Sequence, residues 1–323
     1  MSTSRTPEAT GWQSRVDDRV DPDDAAMAAV LADCEELMAR TPELDYLAYV
    51  GLGTPLVELV RTGVPAGTPG APPSGSLAEA FKRLAKQMAL RVWHLDRELQ
   101  VARTGRLIRT VLHSEGHALF YDMVRPGVEF LGVVTLTDHP DSDQRVWAGD
   151  RAVAALADKL RARAELKSVN YGSFEAPFDG TAPQVPATGG VEDRLRAAVG
   201  PVGLHFASYW AGDRSVVLDC LDDPELAADH VGITPAARRG FHLRFARDLR
   251  TLATELKQTC GGALRGRLNR VVLDVEQGAV YYLRLPAQRY VTAVTIRQPM
   301  VSLAGETVGR LAKTLLDPAL RTD

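Results

Sequence analysis

Metal binding and proton transfer need histidine and carboxylate side chains close together, and this chain concentrates them once, in the motif HSEGH. His113, Glu115 and His117 alternate there, and alternate residues of an extended strand share one face, as a set of metal ligands would. Against that reading, Gly116 is suited to a turn between two strands. A later, similar segment also carries Asp274, Glu276 and Gly278 at the matching places, so the motif reads as a charged hairpin tip. His205 and His242 are far apart in sequence and read as polar or satisfied surface positions, not as an acid/base pair. Tyr281 and Tyr282 read as neighbours on one strand that face opposite sides of a sheet, not as a platform for stacking bases. Asp222 and Asp223 precede Pro224 in a loop and indicate no general-acid pair. The sequence has no GxxxxGK[ST], HExxH or GxSxG motif and no GxGxxG after a strand. No catalytic set, metal site or cofactor is expected.

The bulk composition is that of ordinary globular chemistry. There are 323 residues, 45% of them hydrophobic, with 38 Lys and Arg against 41 Asp and Glu for a formal charge of −3. That length suggests two domains, and the near-neutral balance argues against a protein that coats nucleic acid. No apolar run is long enough to span a membrane, and the polar stretch Met1 to Asp24 lacks the pattern of a secretory signal. Cys34, Cys220 and Cys260 are an odd number of well-separated thiols, which fits free, buried cysteines and a cytoplasmic location.

The strongest signal is an internal repeat. GRLIRTVLHSEGHALFY, beginning at Gly105, aligns with GRLNRVVLDVEQGAVYY, beginning at Gly266, and nine of the 17 positions are identical. The identities include Gly105/Gly266, Arg106/Arg267, Arg109/Arg270, Glu115/Glu276 and Tyr121/Tyr282. Further on, Val153, Leu156, Ala157 and Leu160 match Val308, Leu311, Ala312 and Leu315, with the turn-rich stretch Asp138 to Gln144 absorbing most of the shift in offset. A duplicated unit follows.

Periodicity then assigns the elements of each copy. In the first, a helix over Ala25 to Arg40 precedes a hairpin over Leu44 to Val60 and a long helix over Leu77 to Val101. Strands over Arg106 to Ser114, Ala118 to Val124 and Val128 to Thr137 lead to a closing helix over Val146 to Leu166. The second copy reads as a short helix over Val191 to Val199, then a hairpin over Gly203 to Tyr209 and Ser215 to Cys220. Its long helix opens at Pro235 with Thr234 as N-cap. Strands over Arg267 to Leu273, Ala279 to Leu285 and Tyr290 to Ile296 precede a last helix over Val301 to Leu316. The expected organisation is a disordered tail at 1–23, domain one at 24–167, a Pro/Gly-rich linker at 168–190 and domain two at 191–318. A long loop at Thr62 to Ser76 lies inside domain one.

This α+β order, αββαβββα twice over, resembles the roadblock/dynein light chain domain of the profilin-like fold. The segment from Arg267 to Leu316 carries most of the resemblance: strand, charged turn, strand, short Pro-containing turn, strand, amphipathic helix. Two such domains in that family pair edge to edge through their third strands with their second helices side by side. The resemblance therefore implies an intramolecular pseudo-dimer, its antiparallel sheets joined as one, with a further homodimer possible. It also implies a non-catalytic signalling scaffold whose partner is a Ras-like small GTPase or a related protein.

The outer faces of the two long helices fit a docking role. Arg83, Lys86, Leu90, Trp93 and Arg97 lie opposite the core stripe of the first, and Arg239, Leu243, Ala246, Arg247 and Arg250 opposite that of the second. Both sets are basic around apolar residues, and suited to an acidic partner surface. Of these, Arg83, Lys86, Leu90, Trp93, Arg239, Leu243, Arg247 and Arg250 are the expected partner-binding residues. The rival reading is a pair of small-molecule sensing domains of the PAS, GAF or profilin-like kind, which calls for a pocket of about 300 Å³ or more. A third is an enzyme whose residues only the fold assembles, HSEGH being the first place to look.

Overall fold

Strand pairing in both halves follows one plan. In the computed structural model, residues 11–61, 74–136, 142–169, 183–260, 264 and 266–317 are described. The first half contains β1 (Trp12–Val16), α1 (Ala25–Arg40), β2 (Tyr46–Gly51), β3 (Thr54–Arg61), α2 (Ser74–Leu99), β4 (Leu107–Ser114), β5 (His117–Arg125), β6 (Val128–Thr135) and α3 (Ser142–Arg163). The second contains α4 (Val191–Ala198), β7 (Phe206–Ala211), β8 (Arg214–Asp219), α5 (Pro235–Thr259), β9 (Leu268–Val275), β10 (Gly278–Arg284), β11 (Arg289–Thr295) and α6 (Val301–Thr314). Sheet order is β3-β2-β6-β5-β4 in the first half and β8-β7-β11-β10-β9 in the second, so each strand has a counterpart at the same position. The α+β class and the αββαβββα order are those expected.

Local chemistry explains the elements. Asp24 caps α1 by accepting from the N–H groups of Ala26 and Met27, and Val30, Cys34 and Met38, spaced by four, are its buried stripe. Thr234 does the same for α5, its hydroxyl accepting from Ala237 N at 3.2 Å, with Pro235 at the first helical position. The buried face of α5 is Phe241, Phe245, Leu249, Leu252 and Leu256, and its first two rings stack at 5.5 Å. In the first half α2 presses Phe81 onto Tyr46 of β2 at 4.6 Å, while α1 and α3 cover the other side of the sheet. In the second half Tyr281 donates to Val301 O of α6 at 2.7 Å, and the ring of Tyr282 lies 5.5 Å from that of Tyr290, whose hydroxyl reaches Arg247 O of α5.

Two expectations are corrected. The tail is not disordered up to residue 23: Trp12–Val16 pairs antiparallel with β3, from Trp12↔Arg61 to Val16↔Val57. That strand is too short and too polar to stand out by pattern; the main-chain ladder of β3 supplies what its side chains do not. The loop placed at 62–76 ends earlier, since Ser74 already begins α2. The remainder of that loop, most of the linker at 168–190, the DHPD stretch, residues 1–10 and Pro318 lie outside the described residues.

The compact units do not coincide with the sequence halves. Unit 1 joins Met1–His94 and Val111–Ser168 with Leu256–Arg267, and unit 2 joins Val169–Glu255 and Leu268–Asp323 with Leu95–Thr110. Each unit thus holds a short segment of the other half. In unit 2, Glu276 N donates to Arg106 O at 3.0 Å, Arg106 N donates to Glu276 Oε2 at 3.0 Å, and Gln277 N donates to Thr104 O at 3.0 Å. In unit 1, Glu115 N donates to Arg267 O at 3.1 Å and Arg267 N donates to Glu115 Oε2 at 3.2 Å. The glycine before each arginine has a left-handed backbone, φ +75° at Gly105 and +76° at Gly266. A Cβ there would lie 2.6 Å from the Cβ of Glu276 or Glu115 respectively. Replacing either glycine by alanine is expected to lower stability by about 2 kcal/mol, combining the positive φ with the clash. Urea unfolding checks this; a loss under about 0.5 kcal/mol at both sites would contradict it.

Candidate functional site

The two sides of α2 differ sharply in exposure. Its inner stripe, Phe81, Ala85, Met88, Leu95 and Leu99, is buried, with Val92 only half-buried. Arg83, Lys86 and Arg97 are exposed on the other side, and between them Leu90 and Trp93 keep 60% and 51% of their surface in solvent. The Trp93 ring lies 5.0 Å from that of His94, also exposed. Asp96, half-buried, is engaged by its neighbours. One carboxylate oxygen accepts from Leu107 N at 2.6 Å, fixing the start of β4, and the other accepts from Gln100 Nε2 at 2.6 Å. An exposed tryptophan and leucine flanked by cations have the composition of a protein-docking hot spot.

The outer face of α5 departs from expectation. Arg239 is held from two sides: Nε and Nη2 donate to the two oxygens of Asp219 at 2.7 Å each, and Nη2 also donates to Asp222. These carboxylates hold its guanidinium above its ordinary pKa. Leu243 is half-buried and Ala246 buried. Arg247 and Arg250 remain exposed, and Arg250 donates to Gln288 Oε1 at 2.8 Å. Four of the eight expected partner-binding residues thus form a face on α2, and on α5 only Arg247 and Arg250 are presented. The reading missed Trp147 of α3, 53% exposed, with the Arg151 guanidinium 5.1 Å from its ring centroid. Its repeat counterpart, Ser302, marks the position as one where the copies diverge.

HSEGH is a hairpin tip. His113 is near the end of β4, His117 opens β5, and the Ser114 hydroxyl bridges the turn to His117 O and N at 3.0 Å each. Glu115 points its carboxylate at Arg267 N, as above. Among the described residues no three His, Cys, Asp or Glu side chains are grouped to hold a metal ion. Among the same residues, no helix is long and apolar enough to cross a membrane. Cys34 and Cys260 are buried and Cys220 half-buried; all three are free thiols, and burial pushes Cys220 and Cys260 up to about 12.

His205 and His242 are not surface residues; both are buried. His205 Nδ1 accepts from Ile296 N at 3.0 Å, which leaves Nε2 to face Pro201 O at 3.2 Å and fixes a neutral ring. His242 packs between the rings of Phe206 and Phe241, and neither of its nitrogens has a hydrogen-bond partner. A crevice beside it, also lined by Thr104, Arg238 and Thr295, has room for one water, about 10 Å³. That is far below the volume a sensing pocket needs.

Burial lowers His205 to about 4 and His242 to about 3, the latter also through Arg238, and raises Glu129 of β6 to about 7. An unfolded histidine titrates near 6.5, so below that pH the unfolded chain takes up protons that the folded His242 refuses, and stability falls as pH falls. Glu129 acts oppositely: its folded carboxyl holds a proton up to about 7, and stability is lost as pH rises from the ordinary carboxylate range through that value. His242→Leu should therefore gain about 2 kcal/mol relative to the parent between pH 7 and 5. Glu129→Gln should gain by a similar amount between pH 5 and 8. Urea midpoints across that range check both, and offsets that do not vary with pH would contradict them.

No family model matches the chain, and no curated protein matches it. Among solved structures it is similar to MglB in a tetrameric arrangement, at 20% identity, covering 45% of this chain and 99% of that one, with a TM-score of 0.33. It is similar also to the gliding protein MglB of Thermus thermophilus, at 17% identity, 43% and 99% coverage and a TM-score of 0.31. A third similar structure is MglC from Myxococcus xanthus, at 15% identity, 43% and 98% coverage and a TM-score of 0.27.

Proposed function

We propose that the chain is a non-catalytic, cytoplasmic scaffold, a roadblock-like pseudo-dimer that binds a Ras-like small GTPase or a related signalling protein through α2. The observation that carries this reading is the face of Leu90 and Trp93 set among Arg83, Lys86 and Arg97 on a helix whose opposite stripe is buried. Large apolar side chains left in solvent beside cations suit a partner with an apolar socket and an acidic rim. The pseudo-dimer is supported by the segments that the two units exchange. The GTPase as partner follows from the resemblance to the roadblock family, in which such a platform acts on a GTPase by repositioning that protein's own loops.

The test is capture of GTP-binding proteins from the native cytosol on immobilised protein, with the affinity of the captured GTPase then measured against the parent and Trp93→Ala. Truncating Trp93 should weaken binding about 30-fold, since a central tryptophan contributes about 2 kcal/mol. Arg239→Ala should change it less than about threefold, because Asp219 and Asp222 already hold that side chain. Recovery of no GTPase, or equal binding by Trp93→Ala, would overturn the assignment.

A further inference from the structure

The two halves differ at one sheet edge. In the first, the outer side of β3 is covered by β1, and this region is further guarded by Pro55 and by a bulge in the β2–β3 ladder between Tyr49 and Val50. In the second, β8 takes the place of β3, and the strand order ends there among the described residues. Its sequence, RSVVLD, has no lysine and no proline, and its six pairs with β7, from Ala211↔Arg214 to Phe206↔Asp219, run without a shift. It thus lacks the lysine, proline and bulge that guard many free edges, and its charges, Arg214 and Asp219, sit only at its two ends.

The bonding phase of this edge follows from one hydrogen bond. Cys220 N donates to His205 O at 3.0 Å, so Cys220 faces β7, and by alternation Leu218, Val216 and Arg214 do as well. Ser215, Val217 and Asp219 therefore turn their N–H and C=O groups away from β7. We infer that β8 pairs antiparallel with β8 of a second copy of this chain, about a two-fold axis. Outward-bonding residues must meet outward-bonding residues, which restricts the register. With the axis at Val217, Val217 meets itself, Ser215 faces Asp219 and Val216 faces Leu218. The centre is then apolar, a hydroxyl meets a carboxylate at each end, and no like charges are opposed. Moving the register one step toward the hairpin would set Asp213 against Asp219, a repulsive pair. The strand is thus complementary to itself in this register, which favours a second copy over an unrelated peptide. This inference is independent of the α2 reading.

Sedimentation equilibrium across about a hundredfold dilution tests it, since a dimer's population depends on protomer concentration. The parent should approach about 70 kDa, twice the 35.0 kDa of one chain. Val217→Pro removes an N–H that β7 does not use and should return the mass to one chain with the circular dichroism spectrum retained. Val217→Lys places two cations against each other at the axis and should do the same; it decides the matter if the proline variant fails to fold. A parent that stays at one chain's mass throughout would overturn the inference and leave the edge to a strand of another protein. A dimer that persists in a folded variant would also overturn it.

Discussion

A glutamate carboxylate closing on an arginine main-chain N–H is the contact on which the architecture depends. It occurs once in each unit, Glu276 on Arg106 and Glu115 on Arg267, and each time the glutamate's own N–H returns a bond to the arginine carbonyl. A charge-assisted acceptor and a reciprocal amide bond make a two-point clasp, and a neighbouring glycine with positive φ lets the glutamate come close. Three of the identities in the repeat, glycine, arginine and glutamate, are the three parts of this clasp. Arg109 adds a buried ion pair to Asp274 within unit 2, at 3.2 Å. Removing one partner of such a pair is costly, because it leaves the other charge buried without its counter-ion.

Because each unit borrows a segment from the other half of the chain, the duplication has a structural consequence beyond the count of domains. Leu95–Thr110 includes the end of α2, and Leu256–Arg267 includes the end of α5. The borrowed segments therefore run from the last turns of the two long helices to the clasp. His205 and His242, whose titration burial lowers, and Glu129, whose titration it raises, lie in packing positions.

Much of the fold was legible because the repeat doubled every signal. Helix α1 was recovered to the residue from the helical spacing of Met27, Val30, Leu31, Cys34, Leu37 and Met38. The hairpins were visible through turn residues such as Gly53 and Gly212, both with positive φ. What stayed hidden was decided by tertiary contact. Strand β1 depends on the β3 ladder, the tether on Arg239 depends on an aspartate 20 residues upstream, and His205 and His242 gained their burial from strands and rings that no local pattern announces. On α2 the outer face was readable because a strongly amphipathic helix declares both of its sides at once. On α5 the same logic failed at Leu243 and Ala246, where the helix is covered more broadly than its core stripe required.

The central claim is that neither half completes a compact unit from its own residues. The most direct measurement is to produce residues 1–169 and 170–323 separately and record the mass and unfolding transition of each half, alone and mixed. The account predicts that neither half is a folded monomer, and that mixing restores one-to-one assembly with a cooperative transition, abolished by Glu115→Ala together with Glu276→Ala. A single half that is monomeric and unfolds cooperatively by itself would contradict it.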